Sequence, residues 1–131
     1  MNVKKRILAE AGQAEYVSFD IFDTLIIRTV RFPYQIFDKT YEKDPSLFPP
    51  YLSACEWREI RIGAERFARE RKGSAEITLE DIYRELPSMI RDPEKIMERE
   101  IAAEKENACL NPQIADILTE IKNTYGKKII L

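Results

Sequence analysis

Two short apolar segments, far apart along the chain, constrain its fold more than any other feature. The first covers residues 15–20 and ends at an aspartate, and the second covers residues 127–131. Between them, residues 111–125 carry apolar side chains at the period of a helix, and Gly126 ends that pattern. Parallel strands need such a crossover, which is almost always right-handed. We therefore predict an α/β fold in which residues 15–20 and 127–131 pair in parallel.

The long segment between the first strand and the crossover helix is predicted to be helical. Charged residues make up 34% of the chain, which is typical of solvated helices. Pro33 suits the first turn of one helix, and Asp92-Pro93-Glu94 opens another. Residues 51–72 are predicted to form the longest helix, and Thr78-Leu79-Glu80-Asp81 is a capping-box pattern. The fold class is thus α/β but mostly helical.

This pattern predicts that a helical insertion divides the core of the fold. Near the N-terminus, residues 3–11 are predicted to form a helix that ends at Gly12. The segment from Ile21 to Arg31 is ambiguous, and a helical turn followed by extended chain is our interpretation. The predicted division is residues 1–31 for the start of the core, 32–108 for the helical insertion, and 109–131 for the return to the core.

Two carboxylates follow the first predicted strand, at Asp20 and Asp23. The carboxyl end of a buried strand is where α/β sheets place their binding and catalytic residues. A carboxylate at that position can act as a nucleophile or a metal ligand. Histidine is absent from the chain, which excludes Ser-His-Asp triads and imidazole metal sites. The chemistry available to this chain therefore centres on carboxylates.

The balance of charge gives no indication of a nucleic-acid partner, because the net charge is −2. No apolar run approaches the roughly 20 residues of a membrane span, so no membrane partner is expected. The cysteines Cys55 and Cys109 lack the spacing of a zinc site or a disulfide framework, and we expect buried thiols in a cytoplasmic protein. The charged segment 56–72 is interpreted as a solvated helix face, with an RNA- or phosphate-binding stripe as the alternative.

The segment Phe19-Asp20-Ile21-Phe22-Asp23-Thr24-Leu25 resembles motif I of the haloacid dehalogenase-like (HAD) hydrolase superfamily. In that family an apolar strand ends in a nucleophilic aspartate, and a Thr-Leu pair follows four and five residues later. Asp20, Thr24 and Leu25 stand at those offsets. The layout is also similar, with a helical cap inserted after motif I and a crossover helix leading to the second strand of a Rossmann-like core.

The resemblance implies a phosphatase-type mechanism for the parent protein. Asp20 would form a covalent aspartyl intermediate with a small phosphorylated or otherwise activated metabolite. Thr24 would support the loop. Mg²⁺ would bind to Asp20 and to the backbone carbonyl of Phe22. It would offset the repulsion between the Asp20 carboxylate and the phosphate of the substrate.

This sequence departs from the family pattern at the residue two positions after the nucleophile. The phosphatases carry an acid/base aspartate there, whereas this chain has Phe22, which cannot transfer a proton. Asp23 stands one residue further on and remains a candidate acid/base. Dehalogenase-type members also carry a non-acidic residue at this position, so a non-phosphate substrate is an alternative. Arg28 is a candidate for substrate binding.

Other residues have a plainer interpretation. Arg31 and Arg58 can reach an anion, although such arginines are more often surface ion-pair partners. Trp57, the single tryptophan, is expected in the core of the cap. An ordinary loop-capping role without chemistry is the alternative for Asp20 and Asp23.

The sequence ends at Leu131, where the resemblance places the second core strand. In the family a Ser or Thr that holds phosphate, a Lys and further acidic residues follow that strand. We therefore expect the N-terminal part of a HAD-like hydrolase, inactive as this fragment and without bound Mg²⁺. A non-catalytic helical interaction module is the alternative. Because Ile129-Ile130-Leu131 would form an exposed apolar edge, we expect association through this strand, including homo-oligomers.

Overall fold

The computed structural model describes residues 2–131. It is mostly helical, with two small sheets. The elements in chain order are α1 (Val3–Gln13), β1 (Tyr16–Ser18), β2 (Ile26–Arg28), α2 (Gln35–Lys43), a 3-10 turn (Pro45–Leu47), α3 (Ala54–Lys72), α4 (Leu79–Arg84), α5 (Pro93–Glu106), β3 (Ala108–Leu110), α6 (Pro112–Tyr125) and β4 (Lys128–Ile130).

The chain forms two compact units. One, which we call the sheet unit, combines the chain up to Thr29 with Ala108–Leu131. The other, which we call the helical unit, is Val30–Asn107. The boundaries predicted from the sequence, after residue 31 and after residue 108, differ from these by two residues and by one residue. None of the helices described between residues 2 and 131 has the length and apolar character needed to cross a bilayer.

The sheet unit contains the predicted parallel pair. Strand β1 pairs with β4 in parallel, and Val17 lies opposite Ile129. The prediction of two parallel strands joined by the helix before Gly126 is therefore confirmed. Gly126 has φ +61°, the left-handed conformation that favours glycine at the end of a helix.

A second, antiparallel pair in the sheet unit was not predicted. Strand β2 pairs with β3, and Ile27 lies opposite Cys109. The extended chain expected after the helical turn at Ile21 corresponds to β2, whereas β3 lies where the helical insertion was expected to end. The two strands lie far apart in the sequence, so no local pattern indicates that they pair.

Helices α1 and α6 supply the apolar core of the sheet unit. Its buried residues are Leu8, Ala11, Ile117 and Ile121. The prediction that α1 ends at Gly12 is wrong, because the helix continues to Gln13. A Cβ at Gly12 would lie 3.4 Å from a ring carbon of Tyr125, so this glycine allows a close approach rather than a positive φ.

The helical unit has a larger, aromatic core. Its main cluster comprises Phe48, Leu52, Trp57, Tyr83, Ile90 and Ile96. Trp57 is fully buried, which confirms the predicted core position. The rings of Phe48 and Trp57 lie 4.9 Å apart, and those of Trp57 and Tyr83 lie 6.5 Å apart.

Two capping boxes fix the starts of helices in this unit. The predicted Thr78–Asp81 box is confirmed, with the Asp81 amide 3.1 Å from the Thr78 hydroxyl. Helix α3 begins three residues later than predicted, because Ser53 forms a second capping box with Glu56. Helix α5 begins at Pro93 as predicted, although the Asp92 side chain accepts no capping hydrogen bond from it.

Buried charges cross the core of the helical unit. Arg61 Nη2 lies 2.7 Å from Glu100 Oε1, and Arg61 Nε lies 2.8 Å from Glu100 Oε2. The Tyr83 hydroxyl donates to Glu100 Oε2 at 2.6 Å. Burial and the neighbouring carboxylate raise the pKa of Tyr83, which keeps its proton on this bond. The segment 56–72 is therefore not a purely solvated face.

The expectation of buried cysteines is wrong, since both Cys55 and Cys109 are exposed. Cys55 lies in the solvent-facing first turn of α3, next to the capping residue Ser53. Cys109 lies in a two-stranded sheet, which is too small to bury both of its faces.

Candidate active site

The parallel strands of the sheet unit bring Asp20 to the end of β1. The Phe19 amide donates to the Ile130 carbonyl at 3.0 Å, which extends the pairing by one residue beyond β1. Asp20 follows directly and is exposed. The carboxylate thus stands where the strand leaves the sheet, as expected from the sequence.

After Asp20 the chain forms a tight closed loop. The Ile21 carbonyl accepts hydrogen bonds from the amides of Leu25 at 3.0 Å and Ile26 at 2.8 Å. The Asp23 amide donates to the Ile26 carbonyl at 2.8 Å. Leu25 is buried beneath the loop. These bonds fix the backbone that carries the candidate residues.

Asp20 and Thr24 are in direct contact. The Thr24 hydroxyl donates to Asp20 Oδ2 at 3.2 Å. This bond restricts the rotation of the carboxylate. The four-residue spacing from which the sequence singled out this pair therefore corresponds to a real contact across the loop.

Asp23 faces Arg28 and is held there by its charge. Asp23 Oδ1 lies 3.6 Å from Arg28 Nη1, while 73% of the Asp23 side chain is exposed. Its backbone has φ +60°, a left-handed conformation that aspartate tolerates better than most residues. Asp23 is thus tied to an arginine on β2. Arg28, the candidate for substrate binding, is therefore ion-paired with a residue of the loop.

Phe22 presents its ring to solvent. Its side chain is 65% exposed, and the Arg28 guanidinium lies 5.8 Å from the ring centroid. Phe22 lies between Ile21 and Asp23, and both of these residues are hydrogen-bonded to Ile26. At residue 22 this loop therefore presents an apolar ring beside an arginine.

Asn111, at the start of α6, also contacts the loop and was not expected at the site. Its Nδ2 donates to the Thr24 carbonyl at 3.0 Å, and its backbone amide donates to the Leu25 carbonyl at 2.8 Å. Residues 24 and 111 lie 87 positions apart, so no local pattern connects them. The available signal was the choice of asparagine before proline, since asparagine offers both an acceptor and a donor.

The carboxylates of this site do not form a metal centre by themselves. Within residues 2–131, no group of three or more His, Cys, Asp or Glu side chains could hold a metal ion. Asp20 offers one carboxylate, and Asp23 is paired with Arg28. Mg²⁺ usually takes one or two carboxylates and completes its octahedral shell with water and phosphate oxygens. Within residues 2–131, Asp20 could supply one carboxylate to such a shell, and the remaining ligands would be other oxygens.

The two other arginines named from the sequence lie in the helical unit. Arg58 Nε donates to Asp38 at 2.8 Å, which raises the pKa of the guanidinium and confirms the ion-pair interpretation. Arg31 lies 5.2 Å from the centroid of the Phe32 ring. Both arginines are therefore engaged with neighbours in their own unit.

Comparison with known proteins adds no assignment to this geometry. A scan against protein-family models gives no match, and a search of curated proteins gives none either.

Proposed function

We propose that this chain is the nucleophile-bearing part of a HAD-like hydrolase and that Asp20 is its nucleophile. The observation that supports this most is the contact between the Thr24 hydroxyl and Asp20 Oδ2 at the end of a parallel strand. An exposed carboxylate held by one neighbour can attack an electrophile that arrives from solvent. The motif I resemblance predicted this pair of residues at these offsets.

The proposed reaction proceeds in two displacement steps. A carboxylate oxygen of Asp20 attacks the phosphorus atom, and the bond to the leaving oxygen breaks with its electron pair on that oxygen. Water then attacks the aspartyl phosphate, which releases inorganic phosphate and regenerates the carboxylate.

The surroundings of Asp20 favour substrates whose leaving group needs little help from an acid. Phe22 cannot donate a proton, and Asp23 is bound to Arg28. The aryloxide of an aryl phosphate and the carboxylate of an acyl phosphate are weakly basic leaving groups. Reactions of these substrates therefore depend least on general acid catalysis. We therefore propose an activated phosphorylated metabolite as the substrate class.

The proposal requires further groups that the family supplies after its second parallel strand. These are a Ser or Thr for the phosphate, a Lys, and the acidic residues that would complete a Mg²⁺ site with Asp20 and the Phe22 carbonyl. Cytoplasmic location and homo-oligomers through β4 likewise remain predictions.

A second candidate is a dehalogenase-like reaction on a non-phosphate substrate. The exposed Phe22 ring favours it, because an apolar side chain at this offset suits a carbon-centred electrophile. In that reaction Asp20 would displace halide from carbon, and water would then attack the aspartyl ester. Halide needs no proton to leave.

The decisive assay uses the protein encoded by the complete reading frame, with Mg²⁺, an aryl phosphate and, separately, a 2-halo acid. Asp20→Asn should reduce turnover of the accepted substrate by about 10³-fold or more. Asp23→Asn should retain activity within about ten-fold, since Asp23 is tied to Arg28. Asp116→Asn, at an exposed position on α6, is the control.

Turnover of the halo acid alone would favour the dehalogenase candidate. Equal losses in Asp20→Asn and Asp23→Asn would contradict the assigned roles. Turnover unaffected by Asp20→Asn would exclude Asp20 as the nucleophile. Inactivity on both substrates would favour a non-catalytic interaction module.

A further inference from the structure

The peptide groups on either side of Leu25 are each bound at both ends. The Thr24 carbonyl and the Leu25 amide belong to one peptide plane, and these atoms bond to Asn111 Nδ2 and to the Ile21 carbonyl. The Leu25 carbonyl and the Ile26 amide form the next plane, and they bond to the Asn111 amide and again to the Ile21 carbonyl. Asn111 and Ile21 therefore hold two consecutive planes from opposite sides.

We propose that Asn111 is a positioning residue for the Asp20 carboxylate. Its influence passes through Thr24, because the residue whose carbonyl Asn111 binds also donates its hydroxyl to Asp20. Rotation of the Thr24 backbone would break the bond to Asn111 and move the hydroxyl away from Asp20. The catalytic part of this inference rests on the proposed function, whereas the structural part does not.

Asparagine suits this position because the role requires a donor and an acceptor on one short side chain. Asn111 Oδ1 accepts from the Gln113 amide at 3.2 Å and thus caps α6. Its Nδ2 is then directed to the Thr24 carbonyl at 3.0 Å. Serine, threonine and aspartate cap helices as well, but none of them carries an amide donor. A cap alone would not require asparagine.

This difference allows the cap and the loop contact to be separated by substitution. Asn111→Asp keeps the acceptor for α6 and removes the donor to Thr24, because aspartate and asparagine are similarly good N-caps. Asn111→Ala removes both. Asn2→Asp is the matched control, since Asn2 Oδ1 caps α1 by accepting from the Lys4 amide at 2.9 Å.

Amide hydrogen exchange of the 131-residue chain measures the structural part. The Leu25 and Ile26 amides should exchange about ten-fold faster in Asn111→Asp and in Asn111→Ala, as expected for the loss of one hydrogen bond. The α6 amides should change in Asn111→Ala only. Asn2→Asp should leave the loop amides unchanged. Wild-type exchange at Leu25 and Ile26 in Asn111→Asp would overturn the proposal.

Kinetics of the protein from the complete reading frame measure the catalytic part. Asn111→Asp should lower kcat by about ten-fold with KM unchanged, since a misplaced nucleophile affects attack rather than binding. A raised KM with unchanged kcat would contradict positioning. If Asp20→Asn proves fully active, the proposed function fails, and the exchange experiment still decides whether Asn111 holds the loop.

Discussion

The two units of this protein differ in how they are stabilised. The helical unit buries Trp57 completely, together with large aliphatic and aromatic neighbours. The sheet unit buries four residues between α1 and α6, and its four strands have three residues each. Small cores contribute less hydrophobic stabilisation. The candidate chemistry therefore lies in the unit with the smaller core, where we expect individual hydrogen bonds such as those of Asn111 to matter most for the geometry.

The largest expected effect tests the buried charges of the helical unit. Glu100→Ala should lower the free energy of unfolding by about 3–5 kcal/mol, because the buried Arg61 guanidinium loses its closest carboxylate and keeps only Glu65, at 3.3 Å. Urea denaturation measures the loss. Glu98→Ala, at an exposed position on the same helix, is the control and should change stability by about 0.5 kcal/mol or less.

The triple variant Arg61→Met, Glu100→Leu, Tyr83→Phe separates charge from packing. It should recover most of that stability, since apolar residues of similar volume can replace a buried ion pair. A triple variant as unstable as Glu100→Ala would contradict this explanation.

The next effect concerns the core of the sheet unit. Ile121 is fully buried, and Ile121→Ala should cost about 2–5 kcal/mol. Exchange of the α1 and α6 amides should accelerate, whereas the α3 amides should keep their protection. Ile101→Ala, at a half-exposed position on α5, is the control. Equally faster amide exchange in both units would contradict this expectation, because it would mean that the units unfold together.

A matched pair of glycines allows the same perturbation in each unit. Gly73 and Gly126 both end a helix at φ 61° and ψ 25°, and a Cβ at either would meet nothing within 4 Å. Alanine should therefore cost about 1–2 kcal/mol at both positions, from backbone strain alone.

Gly63→Ala provides a control of opposite sign. Gly63 lies inside α3 with open space around it, so alanine should stabilise the helix by about 0.5–1 kcal/mol. Urea denaturation and amide exchange measure all three variants. Unequal costs at Gly73 and Gly126 would show that context outweighs local conformation.

The smallest effect is a pH dependence in the helical unit. Hydrogen bonds from the Thr78 amide and the Lys72 ammonium lower the pKa of Asp81 from 3.8 to about 2. A carboxyl whose pKa is lower in the folded state stabilises the fold above its unfolded pKa. This contribution should decline as the pH falls from about 4 towards 2.

Asp81→Asn removes the titrating group and should therefore flatten this part of the pH profile. Thermal unfolding of the protein, followed across the acid range, measures this pH dependence. Glu80→Gln, on the same helix, is the control. An identical acid profile for wild type and Asp81→Asn would contradict the assigned cause.

The parts of the fold that follow a local pattern could be predicted from the sequence. The crossover helix shows the helical period and ends at Gly126, so the parallel pairing of β1 and β4 followed from it. The pairing of β2 with β3 could not be predicted, because no crossover helix or turn between the two strands marks it in the sequence. The close approach of Gly12 to Tyr125 was equally invisible, since it depends on how α1 packs on α6.

The same division applies to the candidate site. Asp20 and Thr24 are four residues apart, and the sequence could pair them. The ion pair between Asp23 and Arg28 spans a loop whose left-handed residue the sequence did not reveal. In the sequence, the whole helical unit separates Asn111 from Thr24. The role of Asn111 therefore appears only in the three-dimensional structure.

A search for the covalent intermediate tests the central claim most directly. The protein from the complete reading frame is mixed with an aryl phosphate and Mg²⁺, quenched in acid within one turnover, and digested for mass spectrometry. If Asp20 is the nucleophile, we expect a phosphoryl group on the peptide that contains Asp20. Hydroxylamine should remove this group, and it should be absent from Asp20→Asn. Turnover without an adduct on Asp20, or with the phosphoryl group on another residue, would contradict it.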